Sequence, residues 1–331
     1  MVSSTPMAAP MRVTVLMPLR DDWASAAELI RRLDRTLAAY PCVLKVLLVD
    51  DGSVQPYKAA DFQSGFSVVR SIRILRLRRN LGHQRAIAIG LVHTAQAAWC
   101  EAVLVMDADG EDTPDGALQL LREFSEVHHG SKAIFAARSR RTESLVFRVA
   151  YKFYKVLHRL LTGIRVRVGN FSIFPAAFLS TLVVMSELWN HYAAAFFRSG
   201  LPFTTTPIPR GYRIAGTSRM NFVSLVAHGM SAISVFADVV GVRLLIASIA
   251  GSLMAVLGVL AVLMIRLFTD RAVPGWATYT TGTLVVILMQ FVAIATSFTF
   301  TMLSNRATLN LVPLRDCQVY VLDSSEVYGV D

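Results

Sequence analysis

Short apolar runs alternate with longer segments of helical periodicity along the N-terminal part of the chain. After Trp23, residues Leu29, Ile30 and Leu33 recur at the spacing of a helix that buries one face. The apolar runs are rich in Val, Ile and Leu, which is typical of strands buried in a sheet. Strands are predicted at 12–17, 44–49, 71–77, 102–106 and 133–137, and helices at 23–40, at 83–98 and from 114 onward. This alternation predicts βαβ units, and therefore an α/β fold with a mostly parallel sheet and helices on both faces.

Two much longer apolar segments lie near the C-terminus. Residues 244–267 hold one charged residue, Arg266, and residues 279–303 hold none. A helix rises about 1.5 Å per residue, so each segment is long enough to cross a bilayer. The link at 268–278 is short, which predicts a hairpin that leaves the N-terminal domain and the C-terminal tail on one side of the membrane.

The segments that flank this hairpin are less apolar. Residues 221–238 have helical periodicity, and such a helix either lies in the membrane interface or packs beneath the N-terminal domain. The tail includes a predicted strand, 318–322, that could pair with an edge of the sheet. The expected divisions are a disordered N-terminus at 1–10, an α/β domain at 11–220, an interfacial or linker helix at 221–240, two transmembrane helices within 241–305 and a tail at 306–331.

Carboxylates follow two of the predicted strands at the point where each strand ends. Asp50 and Asp51 follow one strand, and Asp107 and Asp109 follow another. In a parallel α/β sheet ligands bind outside the carboxyl ends of the strands, which places both pairs at one pocket. Two aspartates two residues apart can reach one hard cation, and Mg²⁺ or Mn²⁺ prefers carboxylate oxygen. The sequence therefore predicts a metal–diphosphate site, with an ordinary acidic turn as the alternative for this motif taken by itself.

The glycine patterns of other nucleotide sites are absent from the sequence. No Gly-x-Gly-x-x-Gly follows the first strand, and no Walker loop occurs. The usual dinucleotide and ATP cradles are therefore excluded. The helix after the acidic turn is predicted to start at Pro114, because Thr113 can cap it and proline suits the first helical position.

The net charge of +10 indicates a polyanionic partner, such as anionic lipid headgroups or a phosphorylated substrate. Nucleic acid is not expected, because the chain has neither a zinc spacing nor an aromatic RNA-binding signature. The three cysteines are isolated, which is typical of a reducing compartment. The N-terminus lacks the apolar core of a signal peptide.

Basic residues are concentrated in two further places. A helix predicted at 144–161 carries Arg148, Lys152, Lys155 and Arg159 on one stripe, which is either a solvated face or a surface for anionic headgroups and a lipid phosphate. The loop 212–219 carries two arginines and a glycine. Arginine can bind diphosphate oxygens in a bidentate manner, although by itself the loop is also an ordinary basic loop.

The order of these motifs resembles that of the family 2 glycosyltransferases of the polyprenyl-phosphate type, similar to dolichol-phosphate mannose synthases and bactoprenol glucosyltransferases. The resemblance covers residues 11–305. It is carried by Asp-Asp-Gly-Ser at 50–53, Asn-Leu-Gly-His-Gln at 80–84, Asp-Ala-Asp at 107–109, the 213–219 loop and the two apolar spans.

This resemblance implies a GT-A fold and an inverting glycosyltransferase that uses Mg²⁺ or Mn²⁺. It implies a UDP- or GDP-sugar donor and a polyprenyl phosphate acceptor. The enzyme would be a multi-pass protein of the cytoplasmic membrane, with its catalytic domain in the cytosol because sugar nucleotides are cytosolic. Relatives of this type also suggest a homotetramer.

Residue roles follow from the same resemblance. The catalytic residues would be Asp107, Asp109 and Arg138, and the metal ligands Asp107, Asp109 and Glu111. The nucleotide sugar would be bound by Pro18, Asp22, Asp50, Asp51, Asp107, Ala108, Asp109, Arg213, Ser218 and Arg219. The acceptor phosphate would be held by Arg138, Arg140, Arg148 and Lys152.

The chain departs from the family pattern at several positions. Arg-Asp-Asp at 20–22 stands where relatives have Tyr-Asn-Glu, and Glu111 stands where many have Gln. Asn170 and Ser172 replace the Asp and Arg of a common Asp-Phe-Arg motif. Asn170 cannot act as a base, which is compatible with a phosphate acceptor that is already anionic at pH 7.

The residues are compatible with two other functions. One is transfer to a membrane lipid hydroxyl or a polysaccharide, although the Gln-x-x-Arg-Trp motif of processive relatives is absent. The other is a non-catalytic membrane scaffold, against which the intact Asp107 and Asp109 argue.

Overall fold

A computed structural model describes residues 9–63, 65–139, 156, 159–163, 168–215, 222–269, 275–307 and 311–330. The chain divides into two compact units. The first comprises Met1–Val149, Val166–Val235 and Leu311–Asp331, and the second comprises Ala150–Arg165 and Phe236–Asn310. The first unit contains a sheet with helices, and the second contains the two long apolar helices.

The first unit is built on a sheet that has eight strands among the described residues, in the order β7-β5-β6-β4-β1-β2-β3-β8. Strand β1 pairs in parallel with β2 and β4, as do β2 with β3 and β5 with β7. Strands β6 and β8 run antiparallel to their neighbours. The strands are β1 Met11–Leu19, β2 Cys42–Asp50, β3 Val69–Leu77, β4 Ala102–Val105, β5 Ala133–Ser139, β6 Val168–Pro175, β7 Phe203–Pro209 and β8 Val321–Gly329.

Helices cover both faces of this sheet, because the central strands are apolar on both sides. Every residue of β4 and the last seven of β1 are buried. One face packs against α1 and α3, and the other against α2 and α5. The helices of this unit are α1 Trp23–Leu37, α2 His83–Ala97, α3 Pro114–Arg122, α4 Leu179–Leu182, α5 Tyr192–Arg198, α6 Phe222–Ser234 and α9 Pro313–Asp316. The predicted fold class, a mostly parallel α/β sheet with helices on both faces, is confirmed.

The predicted start of α3 is also confirmed. Thr113 has extended backbone angles, and its hydroxyl accepts a hydrogen bond from Gly116 N at 3.1 Å. Pro114 occupies the first helical position. This cap ends the acidic turn and fixes the direction in which the chain leaves it.

Ser172 lies within β6 and pairs with Val105 of β4. One predicted boundary was wrong. The tail strand was expected at 318–322, but residues 317–320 form a turn and the strand starts at Val321. It pairs with the edge strand β3, as expected for the tail. An ion pair between Arg76 and Asp323 joins the two strands, and Val327 and Tyr328 of β8 pack against the core.

The second unit consists mainly of α7 Ala237–Phe268 and α8 Trp276–Ala307. Both helices are long and apolar enough to cross a membrane. They pack against each other where glycines permit close approach. A Cβ on Gly251 would lie 2.5 Å from the Phe291 ring, and one on Gly258 would lie 3.1 Å from Leu284. Most of their other large apolar side chains are exposed, as expected for surfaces that face lipid.

Candidate active site

The register of the sheet brings both acidic segments to one edge. Leu19 at the end of β1 pairs with Asp50 at the end of β2, and Asp51 N donates to Leu19 O at 2.9 Å. On the other side of β1, Met106 N donates to Leu16 O at 3.1 Å. The Asp50–Asp51 and Asp107–Asp109 segments therefore leave the sheet from strands on either side of β1.

The first acidic pair is held by backbone donors. Asp51 accepts hydrogen bonds from Leu81 N at 2.6 Å and Gly82 N at 2.9 Å, one on each oxygen. Asp50 Oδ1 accepts one from Ser53 N at 2.8 Å. Burial raises the pKa of Asp51, against the lowering effect of these two amides. Asp51 thus fastens the end of β2 to the start of α2, and its contact with a nucleoside stays a prediction.

The second acidic segment curls into a tight turn. Asp107 N donates to Asp112 Oδ2 at 2.9 Å, and Glu111 N donates to Asp109 Oδ1 at 3.0 Å. Gly110 adopts φ +90°, and a Cβ there would lie 2.5 Å from Ile214. Burial, followed by the charge of Asp107, raises the pKa of Asp109. The turn therefore concentrates carboxylate oxygens in a partly desolvated place.

The basic loop at 210–215 folds against this turn. Gly211 N donates to Glu111 O at 2.8 Å, and Ile214 N donates to Asp109 O at 2.9 Å. Arg213 Nη2 donates to Asp22 Oδ2 at 2.8 Å, and its Nη1 lies 3.5 Å from Asp109 Oδ2. A guanidinium therefore joins the loop after β1, the acidic turn after β4 and the loop after β7.

A row of polar side chains approaches the turn from α2 and β6. His83 Nε2 lies 3.1 Å from Asp107 Oδ1 and 3.0 Å from Asn170 Nδ2. Gln84 Nε2 donates to Asn170 Oδ1 at 3.2 Å, and Gln84 Oε1 accepts from the backbone N of Tyr192 at 2.7 Å. The row connects the start of α5 to a predicted metal ligand.

The described residues contain no group of three or more His, Cys, Asp and Glu side chains arranged to hold a metal. Asp107 and Asp109 supply carboxylate oxygens at the turn, and their predicted part in a metal site stays a prediction. The Glu111 carboxylate forms an ion pair with Arg210. Its predicted part in a metal site stays a prediction.

Some of the other predicted site residues lie in the sheet or at its edge, and the rest lie outside the described residues. Pro18 and Ala108 are buried beside the sheet edge, at the end of β1 and within the acidic turn. Arg138 belongs to β5. Five residues of the predicted acceptor and donor sites lie outside the described residues, namely Arg140, Arg148, Lys152, Ser218 and Arg219.

Sequence reasoning gave no role to three residues that contribute to this site. Asp112 organises the acidic turn, Arg210 pairs with Glu111, and His83 contacts Asp107. His83 belongs to the 80–84 motif, so the sequence indicated that this position matters, but it did not predict the contact of His83 with Asp107. Asp112 and Arg210 carried no signal of their own, because acidic and basic residues are common in surface loops.

Curated relatives match most of the chain. A Bacillus subtilis (strain 168) protein described as uncharacterized glycosyltransferase YkcC is 25% identical over 292 residues, which cover 86% of this chain and 85% of the relative. The undecaprenyl-phosphate 4-deoxy-4-formamido-L-arabinose transferase of Salmonella choleraesuis (strain SC-B67) is 26% identical over 296 residues, or 86% of this chain and 85% of the relative. That of Klebsiella pneumoniae subsp. pneumoniae is 24% identical over 287 residues, or 85% and 84%.

Solved structures are also similar, at lower identity. Mannosyl-3-phosphoglycerate synthase from Rubrobacter xylanophilus gives a TM-score of 0.49 at 16% identity, over 69% of this chain and 73% of the other. Glucosyl-3-phosphoglycerate synthase from Mycobacterium tuberculosis, in complex with Mn²⁺, UDP and glucosyl-3-phosphoglycerate, gives 0.48 at 14% identity, over 70% and 80%.

The match to a family model decides the classification. The model of glycosyl transferase family 2 matches residues 14–182, which contain most of β1, strands β2 to β6 and both acidic segments. This match covers more than half of the chain. It confirms the resemblance seen in the motifs, and the chain belongs to glycosyl transferase family 2.

Proposed function

We propose that the protein transfers a sugar from a nucleotide-sugar donor to a polyprenyl phosphate in the membrane, with inversion at the anomeric carbon. The observation that carries this proposal is the position of Arg213 against the acidic turn, 3.5 Å from Asp109 and bonded to Asp22. A guanidinium can bind the oxygens of a diphosphate, and the adjacent carboxylates suit the cation that a diphosphate carries. Together they support a nucleoside diphosphate sugar as the donor.

The residues of the turn fit a hard divalent cation. Asp107 and Asp109 supply oxygen donors, and the raised pKa of Asp109 reflects burial and the neighbouring negative charge of Asp107. Mg²⁺ or Mn²⁺, when bound, would stabilise the charge of the departing nucleoside diphosphate. Arg213 would add a second positive charge to the same group.

The choice of a phosphate as the acceptor rests on the residue at position 170, which is Asn and cannot act as a base. An oxygen of the acceptor attacks the anomeric carbon while the bond from that carbon to the diphosphate breaks. A hydroxyl acceptor would need a group to take its proton. A phosphomonoester has a second pKa of about 6, so at pH 7 it is already largely anionic. Asn170 lies beside His83 at the site and cannot take a proton, which supports a phosphate acceptor.

The two apolar helices and the curated relatives support a membrane-bound acceptor. Two of the relatives named above are undecaprenyl-phosphate sugar transferases that match this chain over about 85% of its length. The proposed enzyme is held in the cytoplasmic membrane by α7 and α8, with its catalytic domain in the cytosol where sugar nucleotides occur. The basic residues Arg138, Arg140, Arg148 and Lys152 are proposed to hold the acceptor phosphate, and assembly as a homotetramer stays a prediction.

The test supplies membranes that contain the protein with labelled UDP-, GDP- and dTDP-sugars and with undecaprenyl phosphate. Label that enters the organic phase identifies the donor and supports the proposal. Undecaprenol is supplied in a parallel arm. Equal labelling of undecaprenol would overturn the phosphate acceptor in favour of a lipid hydroxyl.

A matched pair of variants separates an enzyme from a scaffold. Asp109→Asn removes a carboxylate of the acidic turn, whereas Asp115→Asn makes the same change at an exposed position of α3. Transfer should be lost only in the first variant. Transfer at the wild-type rate in Asp109→Asn would show that the acidic turn is not the catalytic site.

A further inference from the structure

The connection between β1 and α1 is bonded to the turn that follows β2. Asp21 Oδ1 accepts hydrogen bonds from Val54 N at 2.7 Å and Gln55 N at 3.0 Å. The backbone N of Asp21 donates to Ser53 Oγ at 2.8 Å. One aspartate therefore fastens three consecutive residues, which form the 53–55 turn.

The backbone of Asp21 lies in the left-handed region, with φ +57°. Few residues other than glycine adopt such angles, although Asp and Asn tolerate them best. A strained residue persists only where the surrounding structure holds it, and such residues cluster at ligand sites. Here the left-handed residue allows two adjacent carboxylates to bind two different loops, since Asp21 binds the 53–55 turn and Asp22 binds Arg213.

The carboxylate of Asp22 does not cap α1, although Asp22 stands at the N-cap position. An aspartate there normally accepts a hydrogen bond from an amide in the first turn of the helix. Among the described residues the side chain of Asp22 accepts no such bond, and it accepts one from Arg213 Nη2 at 2.8 Å instead. Asp22 and Arg213 are 25% and 19% exposed, so water screens their attraction only in part.

We propose that Asp21 is a positioning residue of the donor site, which holds the 53–55 turn and the guanidinium of Arg213 in a fixed relation to each other. The turn continues from the Asp50–Asp51 segment, on the proposed nucleoside side, and Arg213 lies beside Asp109, on the proposed diphosphate side. A nucleoside diphosphate that spans both sides binds more tightly when their separation is set in advance. The inference rests on the proposed function, and Asp21 acts through these two groups.

Substitutions at position 21 separate the role of the carboxylate from that of the backbone. Asp21→Asn keeps an oxygen for the two amides and tolerates the left-handed region, whereas Asp21→Gly keeps the backbone angles and removes the oxygen. The control is His129→Gly, because His129 also has a left-handed backbone, with φ +48°, at an exposed position before β5. An effect of glycine by itself should appear in the control as well.

Hydrogen exchange tests the fastening without substrate or metal. In Asp21→Gly the amides of Val54 and Gln55 lose their acceptor and should exchange at least about tenfold faster, the effect of one hydrogen bond to a charged group. Asp21→Asn and His129→Gly should not change their exchange. Unchanged exchange of both amides in folded Asp21→Gly would overturn the inference.

Steady-state transfer measures the consequence for the donor. Asp21→Gly should raise the KM of the nucleotide sugar and lower its kcat/KM by about ten- to a hundredfold, since displacement of a binding group costs up to about that much. The KM of prenyl phosphate should stay unchanged, and Asp21→Asn should keep most of the wild-type rate. Wild-type kcat/KM in Asp21→Gly would overturn the positioning role. A fall in kcat with both KM values unchanged would also overturn it, because it would indicate a loss of active protein.

The link to Arg213 predicts that two substitutions are not additive. Asp21→Gly should lower kcat/KM less in the Arg213→Ala background than in the wild type, because the guanidinium that it displaces is already gone. Equal effects in both backgrounds would show that Asp21 acts on the 53–55 turn alone, and the proposed link would be wrong.

The outcomes separate this inference from the proposed function. If the wild type transfers sugar from no nucleotide, the proposed function fails, and calorimetric binding of UDP and of GDP with Mn²⁺ then tests Asp21 directly. Binding that weakens in Asp21→Gly but not in Asp21→Asn would support the positioning role. Equal binding by these two variants, or no binding by the wild type, would overturn it.

Discussion

The guanidinium of Arg213 lies 3.5 Å from the carboxylate of Asp109, although about a hundred residues separate them in the chain. The same guanidinium donates to Asp22 at 2.8 Å. The loop that carries Arg213 is fastened to the acidic turn by backbone hydrogen bonds at Gly211 and Ile214. Arg213 is therefore placed by the backbone and not only by attraction between charges.

Replacement of Arg213 should reduce transfer while the protein stays folded. Arg213→Ala is expected to lower kcat by about a hundredfold, because removing one preorganised donor to developing charge has an effect of about that size. Arg213→Lys should recover only part of the rate, since lysine keeps the charge but lacks the bidentate geometry. The measurement is steady-state transfer to prenyl phosphate, with Arg122→Ala at an exposed position of α3 as the control. A wild-type rate in Arg213→Ala would contradict this placement.

Gly52 is predicted to be irreplaceable at the end of β2. It has φ +68°, and a Cβ there would lie 2.6 Å from Asn80 N and 2.8 Å from Arg79 C. Gly52→Ala should destabilise the protein by at least about 1–3 kcal/mol, because the backbone is strained and the 79–82 turn has to move. Thermal unfolding measures the loss.

The control for Gly52 is another glycine of the same connection. A Cβ added at Gly65 would have no atom within 4 Å, and Gly65 does not adopt positive φ. Gly65→Ala should therefore leave the unfolding temperature nearly unchanged. Equal effects of the two substitutions would mean that the close approach of Gly52 to the 79–82 turn does not limit stability.

Glu111 is predicted to act on stability through Arg210 rather than on metal affinity. The two side chains form an ion pair and are 22% and 27% exposed. Glu111→Gln should lower the free energy of unfolding, and in the Arg210→Gln background the same change should have a smaller effect. A coupling free energy of about 0.5–3 kcal/mol is expected for groups in direct contact.

The same variants decide whether Glu111 is a metal ligand. Asp109→Asn should weaken Mn²⁺ binding, as measured by electron paramagnetic resonance, and Glu111→Gln should leave it nearly unchanged. Comparable losses of Mn²⁺ affinity in both variants would place Glu111 in the metal site, as the sequence suggested.

Much of the fold and part of the site could be predicted from the sequence, because both depend on local patterns. Buried strands that end in carboxylates gave the sheet and the positions of Asp107 and Asp109. The Thr113 cap could also be predicted, since a helix cap depends only on a few neighbouring residues. Family membership then confirmed what the order of the motifs had indicated.

The remaining features depend on tertiary pairing and had no local signal. The bridge from Arg213 to Asp22 joins residues 191 positions apart. The anchoring role of Asp51 depends on how the 81–82 amides approach it, which hydrophobic periodicity does not report. The tail strand was misplaced for a related reason, because it is completed by pairing with β3, a strand about 250 residues earlier in the chain.

The ion pair between Arg76 and Asp323 gives a prediction about pH, because it fastens the tail strand β8 to β3. The hydrogen bond that Asp323 accepts from Arg76 lowers the pKa of Asp323 below the ordinary value of an aspartate. A carboxyl group with a lower pKa in the folded state contributes stability above its unfolded pKa, near 3.9, and loses it as the pH falls through the folded value. Both side chains are 41% exposed, so solvent limits the contribution to about 0.2–1 kcal/mol.

Hydrogen exchange of the β8 amides measures this contribution. Asp323→Asn should increase exchange across Val321–Gly329 at pH 7, by the small factor that such a free energy allows. The difference from wild type should disappear below the folded pKa of Asp323, where the wild-type carboxyl group is also neutral. Asp61→Asn, at a position outside β3 and β8, is the control and should not change exchange in β8. If the difference between Asp323→Asn and wild type persisted unchanged at a pH near 2, the side chain would act through packing rather than charge, and the electrostatic account of tail docking would be wrong.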